Sequence, residues 1–142
     1  MSHVHNSDVP PCFYRVSIKA LVWDETRTKF MVVEEKDGRF EFPGGGLDFG
    51  EDPHVGLVRE IREEMGLEVT DIADVPVQFF TFKLKPESQY WRATVFYEVK
   101  LKDLAFKSSD ECVSLRFVTP EEALLLQALP SVPLFARSML KK

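Results

Sequence analysis

The sequence has few of the features that mark secreted, membrane-spanning or zinc-binding proteins. Only two of its 142 residues are cysteines, Cys12 and Cys112, and they lie far apart. Two distant cysteines without a nearby histidine cluster do not predict a zinc site. They predict packed, reduced thiols in a cytoplasmic protein, with a single disulfide as the less favoured alternative. No apolar run is long enough to span a membrane. The N-terminus also lacks the basic and apolar regions of a secretion signal.

An excess of positive charge is missing as well. The formal net charge is −5, so a nucleic-acid polymer is not the expected partner. The composition is 44% hydrophobic and 29% charged, which is typical of a folded protein, and the length fits one domain. We expect residues 1–11, which end in two prolines, to form a flexible lead-in. Residues 12–142 are then expected to form a single domain.

Alternation of apolar and polar residues predicts several β-strands. The clearest example lies in residues 91–101, where every second residue is apolar. A short continuous apolar run, residues 30–33, is typical of a central strand that is buried on both faces. The predicted strands cover residues 16–22, 30–33, 40–42, 75–82, 91–101 and 113–117.

Two segments carry signals for the start of a helix. Asp52 is a good N-cap, and Pro53 suits the first helical position because its missing N–H would be unpaired there. Gly66 is a natural residue at which to end this helix. The capping box at residues 119–122 predicts a second helix that continues to about Ala128, followed by a short apolar piece. The order of strands, helix, strands and helix predicts an α/β fold with a mixed sheet between helices.

The first predicted helix has a crowded acidic face. Glu60, Glu63 and Glu64 are spaced by three and four residues, which places their Cβ atoms about 5–6 Å apart. Arg59 can relieve Glu63, four residues away, but Glu60 and Glu64 have no cation at pairing distance within the helix. Mg²⁺ takes oxygen ligands and would remove the repulsion. The face is therefore either a metal platform or, as charged helix faces usually are, a solvated surface.

A glycine-rich segment, residues 43–46, precedes the acidic helix and favours the metal platform. Glycine lets a backbone approach a ligand closely and exposes its carbonyl groups. A loop that leads into an acidic helix can supply a backbone carbonyl ligand together with carboxylate ligands. Bound cations would attract phosphate oxygens, so an acidic protein could hold an anionic substrate in this way.

Residues 45–67 match the Nudix box at every specified position. The box is a glycine, five residues, a glutamate, seven residues, then Arg-Glu, an aliphatic residue, any residue, Glu-Glu, any residue, glycine and an aliphatic residue. A chance match is on the order of 10⁻¹⁰ per window. The sequence therefore resembles the Nudix hydrolase family, whose members include the MutT-like proteins. The matching residues are Gly45, Glu51, Arg59-Glu60-Ile61, Glu63-Glu64 and Gly66-Leu67.

The resemblance implies an α/β/α sandwich that hydrolyses a nucleoside diphosphate linked to another group, X. It implies Mg²⁺ as the cofactor, with Mn²⁺ as a substitute. Glu60 and Glu64 correspond to the principal metal ligands, and the Gly45 carbonyl corresponds to a backbone ligand. Glu63 corresponds to a ligand or to a participant in activating water.

Further roles follow from the same resemblance. Arg59 corresponds to an arginine that orients a glutamate of the box, and Glu51 corresponds to a group that steadies the loop. Family members often recruit one more carboxylate from outside the box as a ligand or a base. Glu111 is our candidate, with Asp110 and Glu98 behind it, although a plain surface acid explains Glu111 equally well.

The substrate is less well determined by the sequence. Tyr90 could stack on a base, and Arg15 and Arg92 could bind phosphates, but ordinary strand positions also explain these residues. The short chain and plain box look more like nucleoside triphosphatases, so a (d)NTP or a modified nucleotide is the candidate small-molecule substrate. The alternative is a Nudix-like domain that binds nucleotide without turnover. A homodimer is a further expectation from the family.

Overall fold

The computed structural model describes residues 13–141. The predicted lead-in, residues 1–11, and Cys12 lie outside these residues. Eight strands and three helices make up the described part of the chain. In chain order these are β1 (Tyr14–Leu21), β2 (Phe30–Glu34), β3 (Phe40–Glu41), β4 (Gly44–Gly46), α1 (Pro53–Met65), β5 (Val69–Ile72), β6 (Gln78–Phe82), β7 (Trp91–Leu101), β8 (Ser114–Val118), α2 (Pro120–Ala123) and α3 (Ser131–Leu140).

The strands form two sheets that meet at the end of β1. In the five-stranded mixed sheet, β1 lies between β4 and β7 and runs parallel to β7, while β5 and β6 both pair antiparallel with β7. The second sheet is antiparallel, in the order β3-β2-β8. The Ala20 N–H donates to the Pro43 carbonyl over 2.8 Å, and the Met31 N–H donates to the Val22 carbonyl over 2.9 Å. These two bonds fasten the sheets to each other.

Helices α1 and α3 cover opposite sides of this sheet structure. Side chains alternate between the two faces along a strand, so neighbouring residues enter different cores. Ala20 and Met31 are buried in the cluster that includes the apolar face of α1. Leu21 and Phe30 are buried in a second cluster, which includes Phe135 of α3. The predicted α/β fold, with a mixed sheet between helices, is confirmed.

The predicted boundaries of α1 are also confirmed. The Asp52 carboxylate accepts hydrogen bonds from the backbone N–H groups of His54 (2.9 Å) and Val55 (3.2 Å). Pro53 occupies the first turn, and Gly66 ends the helix in the left-handed conformation, with φ of 66°. A residue with a side chain rarely adopts this conformation, which explains the glycine.

Some strand predictions were wrong. The glycine-rich segment contains β4, in which Gly45 pairs with Ile18 of β1, because a bare backbone can still form a sheet ladder. Strand β5 was missed because its register shifts between Val69 and Asp71, and this irregularity interrupts the alternation. Strand β6 begins at Gln78 rather than at residue 75, and β8 ends at residue 118 rather than 117.

The end of the chain also differs from the prediction. The capping box is present, since the Glu122 N–H donates to the Thr119 hydroxyl over 3.1 Å, but α2 ends at residue 123 instead of about 128. It stops early because the backbone of residues 127–129 pairs with Phe40 instead of continuing the helix. The apolar piece that follows is helix α3. Pro133 is tolerated there because it lies in the first turn, where no N–H is needed.

Two further observations concern the buried cysteine and the length of the helices. Cys112 is buried, and burial raises the pKa of its thiol to about 11, which confirms that this thiol is packed. None of the helices within residues 13–141 is long and apolar enough to cross a membrane.

Candidate active site

Helix α1 presents its three box glutamates to different environments. Glu64 is buried, with 8% of its surface exposed, and the Glu60 side chain is 15% exposed. The Glu63 side chain is 59% exposed and lies on the solvent side. The helix therefore directs two carboxylates towards the sheet and one away from it. The interpretation of this face as a uniformly solvated acidic surface is wrong.

Gly45 provides the space for one of the two inward carboxylates. A Cβ atom placed on Gly45 would lie 2.6 Å from the carboxylate carbon of Glu60. Any side chain at this position would displace Glu60. The structure thus brings the predicted backbone ligand, Gly45, against a predicted carboxylate ligand, as a shared oxygen site requires.

The electrostatics around Glu64 favour the binding of a cation. Burial raises the pKa of Glu64 to about 9, against the lowering effect of Lys19. A hydrogen bond and charge repulsion from Glu60, together with the charge of Glu111, raise it further. Two neighbouring carboxylates cannot both ionise at low cost in this setting unless a cation joins them.

The residues present fit Mg²⁺ chemically. Within residues 13–141, no group of three or more His, Cys, Asp or Glu side chains is preassembled as a metal-binding cluster. The oxygen donors available are the carboxylates of Glu60 and Glu64 and the backbone beside them at Gly45. Mg²⁺ commonly uses only one or two protein carboxylates and keeps several waters, so this donor set suits it.

Arg59 binds three carboxylates at the edge of the site. Its guanidinium donates to both oxygens of Glu51 (2.8 and 2.9 Å) and also to Glu60 Oε1 (3.1 Å) and Glu63 Oε2 (3.2 Å). The expectation that Glu60 has no cation within the helix is therefore wrong, because the long arginine side chain reaches its sequence neighbour. The hydrogen bond from Arg59 holds Glu60 in place.

Glu51 anchors this arginine to the loop before the helix. It accepts the backbone N–H of Asp48 (3.1 Å), and the hydrogen bond from Arg59 lowers the pKa of Glu51 to about 2. A Cβ atom on Gly56 would lie 2.8 Å from Glu51 Oε1. The glycine within α1 thus leaves room for the carboxylate that steadies Arg59.

The loop before β8 brings Glu111 to the same cavity as Glu64. Ser109 donates from its hydroxyl to the Glu64 carbonyl over 2.8 Å and accepts the Glu111 N–H over 3.3 Å. Glu111 and Asp110 line a cavity of about 360 Å³ together with Glu64. Glu98 lies elsewhere, where it pairs with Arg27 over 2.7 Å.

The sequence analysis missed two charged residues at the centre of the site. Lys19 and Glu41 are both 8% exposed, their Nζ and Oε2 atoms are 3.8 Å apart, and both line the 360 Å³ cavity. They also line a neighbouring cavity of about 250 Å³. The sequence did contain a signal for them, since each of these two charged residues interrupts a strand whose neighbouring residues are buried. The period-two pattern assigned both to a solvated face.

The three candidate substrate-binding residues lie near the N-terminal ends of β1 and β7: Arg15 is in β1, Arg92 is in β7 and Tyr90 immediately precedes β7. Arg15 pairs in register with Arg92 across these parallel strands. Arg92 lines the 250 Å³ cavity, and its guanidinium carbon lies 5.9 Å from the centroid of the Tyr90 ring. Tyr90 is exposed beneath Arg92 and does not reach into that cavity.

Comparisons with known proteins show the family to which the chain belongs. The family model of the NUDIX domain matches residues 13–141. Nudix hydrolase 2 of Arabidopsis thaliana is 33% identical over 100 residues, which cover 66% of this chain and 34% of that protein. The MutT-like protein of Streptomyces ambofaciens is 29% identical over 122 residues, which cover 86% of this chain and 74% of that protein.

Among solved structures, the solution structure of the E. coli ORF135 protein superposes with a TM-score of 0.73 at 24% identity and covers 92% of both chains. This likeness concerns the fold alone. The chain spans only about a third of the length of two Arabidopsis relatives, 34% and 37%. Because the domain model matches all of the described residues and the box is complete, the chain belongs to the NUDIX domain family.

Proposed function

We propose that this chain is a Mg²⁺-dependent hydrolase that cleaves the diphosphate linkage of a nucleoside diphosphate joined to a group X, with Mn²⁺ able to replace Mg²⁺. The observation that carries the proposal is the buried carboxylate of Glu64 beside Glu60 at Gly45. Adjacent buried acids destabilise a fold unless a cation binds between them. Acids with strongly shifted pKa values are also concentrated at functional sites. Their position within a complete Nudix box supports the same reading.

Each residue of the site has a definite task in this proposal. Glu60, Glu64 and the Gly45 carbonyl hold the cation, and Glu63 is a further candidate ligand from the exposed side. When bound, Mg²⁺ neutralises charge on phosphate oxygens and makes a bound water more acidic. Glu111, which lines the same cavity as Glu64, accepts the proton from the attacking water.

Two cations of the protein position these acids. Arg59 fixes Glu60 and is itself fixed by Glu51 through a two-point contact, the strongest geometry for an arginine and a carboxylate. Lys19 lines the same cavity as Glu64, and its charge favours the ionised form of Glu64. Arg59 thus holds Glu60 in place before the substrate arrives, and the charge of Lys19 favours ionised Glu64, which reduces the reorganisation needed during the reaction.

The substrate class is a small nucleotide or nucleotide derivative. Relatives include a putative 8-oxo-dGTP diphosphatase of Mycobacterium tuberculosis and an RNA pyrophosphohydrolase of Blochmanniella floridana, so oxidised nucleoside triphosphates and 5′-triphosphorylated ends both belong in a test. A (d)NTP or modified nucleotide remains our candidate. The cytoplasmic location, the homodimer and the absence of a nucleic-acid polymer as partner stay predictions.

The decisive experiment is a product-release assay over a nucleotide panel with Mg²⁺ or Mn²⁺. The panel contains nucleoside triphosphates, oxidised nucleotides, nucleotide sugars, dinucleoside polyphosphates and a 5′-triphosphorylated oligonucleotide. Glu64→Gln should lower turnover by at least about 10²-fold, the scale of a catalytic carboxylate, without unfolding the protein. Glu68→Gln, an exposed glutamate beyond the helix, is the matched control and should retain activity.

The outcomes separate the candidate functions. Full activity of the Glu64→Gln variant would overturn the proposed site. Metal-dependent nucleotide binding with no product across the whole panel would instead favour the binding domain without turnover. Cleavage of the oligonucleotide alone would overturn the expectation of a small-molecule substrate.

A further inference from the structure

Two arginines lie side by side on one face of the mixed sheet. Arg15 of β1 and Arg92 of β7 are register partners, so their side chains emerge from the same face about 5 Å apart at Cβ. Like charges in this position destabilise a sheet. Within residues 13–141, no carboxylate forms an ion pair with either guanidinium.

Arg92 also has a buried donor that lacks a partner. Its Nε atom is inaccessible to solvent and forms no hydrogen bond within the described part of the chain. A buried donor of a charged group that lacks a partner destabilises the folded state, because the group has lost its hydrogen bonds to water. Buried donors without a partner are unusual in folded proteins, and a ligand oxygen can accept this bond once the Arg92 side chain shifts to expose Nε.

The cavity beside Arg92 is lined by groups that can bind an anion. The side chains of Ser17 and Thr94 are register partners one pair further along the same two strands, and both are buried in the wall of the 250 Å³ cavity. Gly46 lies at the edge, and a Cβ atom there would collide with the Arg15 guanidinium. The missing side chain lets Arg15 lie over the strand, where it donates to the Leu47 carbonyl.

Of the two glutamates that line this cavity, Glu41 already has hydrogen-bond and cation partners within the protein, and Glu35 favours its neutral form. Glu41 accepts hydrogen bonds from the Ser131 hydroxyl and the Phe42 backbone N–H, and its second oxygen faces Lys19. Burial, followed by the charge of Glu41, raises the pKa of Glu35 and favours its neutral form. Lys19 and Arg39 also line this cavity, but Lys19 is paired with Glu41 and Arg39 with Asp37. Among the described residues, Arg92 is therefore the cation of the lining that has no carboxylate partner, and Arg15 lies beside it on the neighbouring strand.

The arginine pair lies close to the candidate metal platform but is separate from it. Gly45 pairs with Ile18, and Ile18 is three residues from Arg15 along β1. Three residues of a strand span about 10 Å. A ligand whose diphosphate lies at Glu60 and Glu64 can therefore place another group at the arginines.

We propose that Arg15 and Arg92, with the hydroxyls of Ser17 and Thr94, form a subsite that binds a phosphoryl group of the substrate other than the diphosphate that is cleaved. Guanidinium groups match phosphate oxygens through paired, charge-assisted hydrogen bonds, and hydroxyls add neutral donors. The assignment to the substrate rests on the proposed function, whereas phosphate binding itself requires no hydrolysis. The subsite selects substrates that carry one more phosphate.

The first test is a titration of the full chain with inorganic phosphate in EDTA, followed through the arginine side-chain Nε–Hε resonances. We expect a saturable shift of the Arg92 resonance. Arg92→Gln should weaken phosphate binding roughly 10- to 100-fold, the value of one charge-assisted hydrogen bond. Arg15→Gln, at an exposed position, should weaken it too, and it keeps the test decisive if Arg92→Gln does not fold. Arg137→Gln, an exposed arginine of α3, is the control.

A lack of saturation at the Arg92 resonance, or an equal loss of affinity in the Arg137→Gln control, would overturn the subsite. Because this titration involves neither metal nor turnover, its result does not depend on the hydrolysis assay. If the chain binds phosphate at Arg92 but releases no product, the subsite is supported and the proposed hydrolase function is contradicted.

The second test identifies the source of the phosphate. Dissociation constants are compared for ADP against ATP, and for AMP against adenosine 3′,5′-bisphosphate, in the unmodified chain and in Arg92→Gln. If Arg92→Gln weakens the binding of ATP alone, the extra phosphate is the terminal one of the triphosphate. If it weakens the binding of the bisphosphate alone, the extra phosphate is the one on the 3′ position of the sugar. Equal losses for all four ligands would show that Arg92 acts only on the structure, for example through Tyr90, and would overturn the proposal.

Discussion

The hydroxyl of Ser109 donates a hydrogen bond of 2.8 Å to the backbone carbonyl of Glu64, although 45 positions separate them in the sequence. The next carbonyl, that of Met65, accepts the N–H of Lys107 over 3.0 Å. The last carbonyls of a helix have no donor within the helix, so the loop before β8 supplies what α1 lacks. The same serine accepts the N–H of Glu111 over 3.3 Å. A single side chain thus ties Glu111 to the turn that carries Glu64.

Replacing Ser109 by alanine should therefore affect both stability and catalysis. The Ser109 hydroxyl donates to the Glu64 carbonyl and accepts from the N–H groups of Glu111 and Cys112, and loss of these three hydrogen bonds should lower the free energy of unfolding by about 1–3 kcal/mol. Turnover of the best substrate should fall several-fold, because Glu111 is held less firmly near Glu64. Urea denaturation measures the first effect and steady-state kinetics the second.

Ser108→Ala, at the exposed neighbouring position, is the matched control and should change neither quantity. If Ser109→Ala loses stability but keeps its full turnover number, the loop has only a structural role. Glu111 would then no longer be a candidate for the proton acceptor.

Helix α1 shows what the sequence alone could predict. Its start and end follow from local rules, since a cap such as Asp52 and a left-handed glycine such as Gly66 act on the nearest few residues. The Nudix box likewise lies within one contiguous segment. A pattern within a single segment can identify Glu60 and Glu64 without any knowledge of the rest of the chain.

The rest of the site depends on contacts between distant segments. Lys19 and Glu41 read as solvent-facing strand residues, and only the packing of two sheets places them together at the centre of the site. The early end of α2 follows from pairing between Phe40 and residues 127–129, which no local signal reveals. The division of the box glutamates into buried and exposed positions also depends on what packs against α1.

The contact between Glu51 and Arg59 predicts a specific dependence of stability on pH. Arg59 lowers the pKa of Glu51 from 4.5 to about 2. A carboxylate with a lowered pKa in the folded state stabilises that state above its ordinary pKa, and this contribution disappears as the pH falls towards the lowered value. The stability difference between the unmodified chain and Glu51→Gln should be constant above about pH 5 and should shrink from there to pH 3.

Urea denaturation at several pH values measures this difference. Glu87→Gln, at an exposed loop position, serves as the control for general acid effects. A gap between the unmodified chain and Glu51→Gln that stays unchanged down to the lowest pH would contradict an ionic contact and would indicate packing alone.

Gly45→Ala tests whether the space at this position matters for the cation. Gly45 does not have a positive φ, so alanine causes no strain in the backbone. The new Cβ would lie 2.6 Å from the Glu60 carboxylate carbon, so Glu60 must move. We expect Mg²⁺ to bind at least about tenfold more weakly, with a matching loss of the Mg²⁺-induced increase in melting temperature.

A second substitution can restore the space. Glu60→Asp shortens the side chain by one methylene, so the double variant Gly45→Ala/Glu60→Asp should recover part of the Mg²⁺ response relative to Gly45→Ala. Unchanged Mg²⁺ binding in Gly45→Ala would show that the cation does not use this side of Glu60.

Lys19→Met tests the charged pair at the centre of the site. The substitution leaves Glu41 buried without its cation, and loss of one partner of a buried ion pair lowers the free energy of unfolding by about 3 kcal/mol. The double variant Lys19→Met/Glu41→Gln removes both charges and should recover a large part of this loss, as measured by a double-mutant cycle in urea. Lys85→Met, at an exposed loop position, is the control and should be neutral. Strictly additive effects of the two substitutions would show that the 3.8 Å contact between Lys19 and Glu41 contributes nothing to stability.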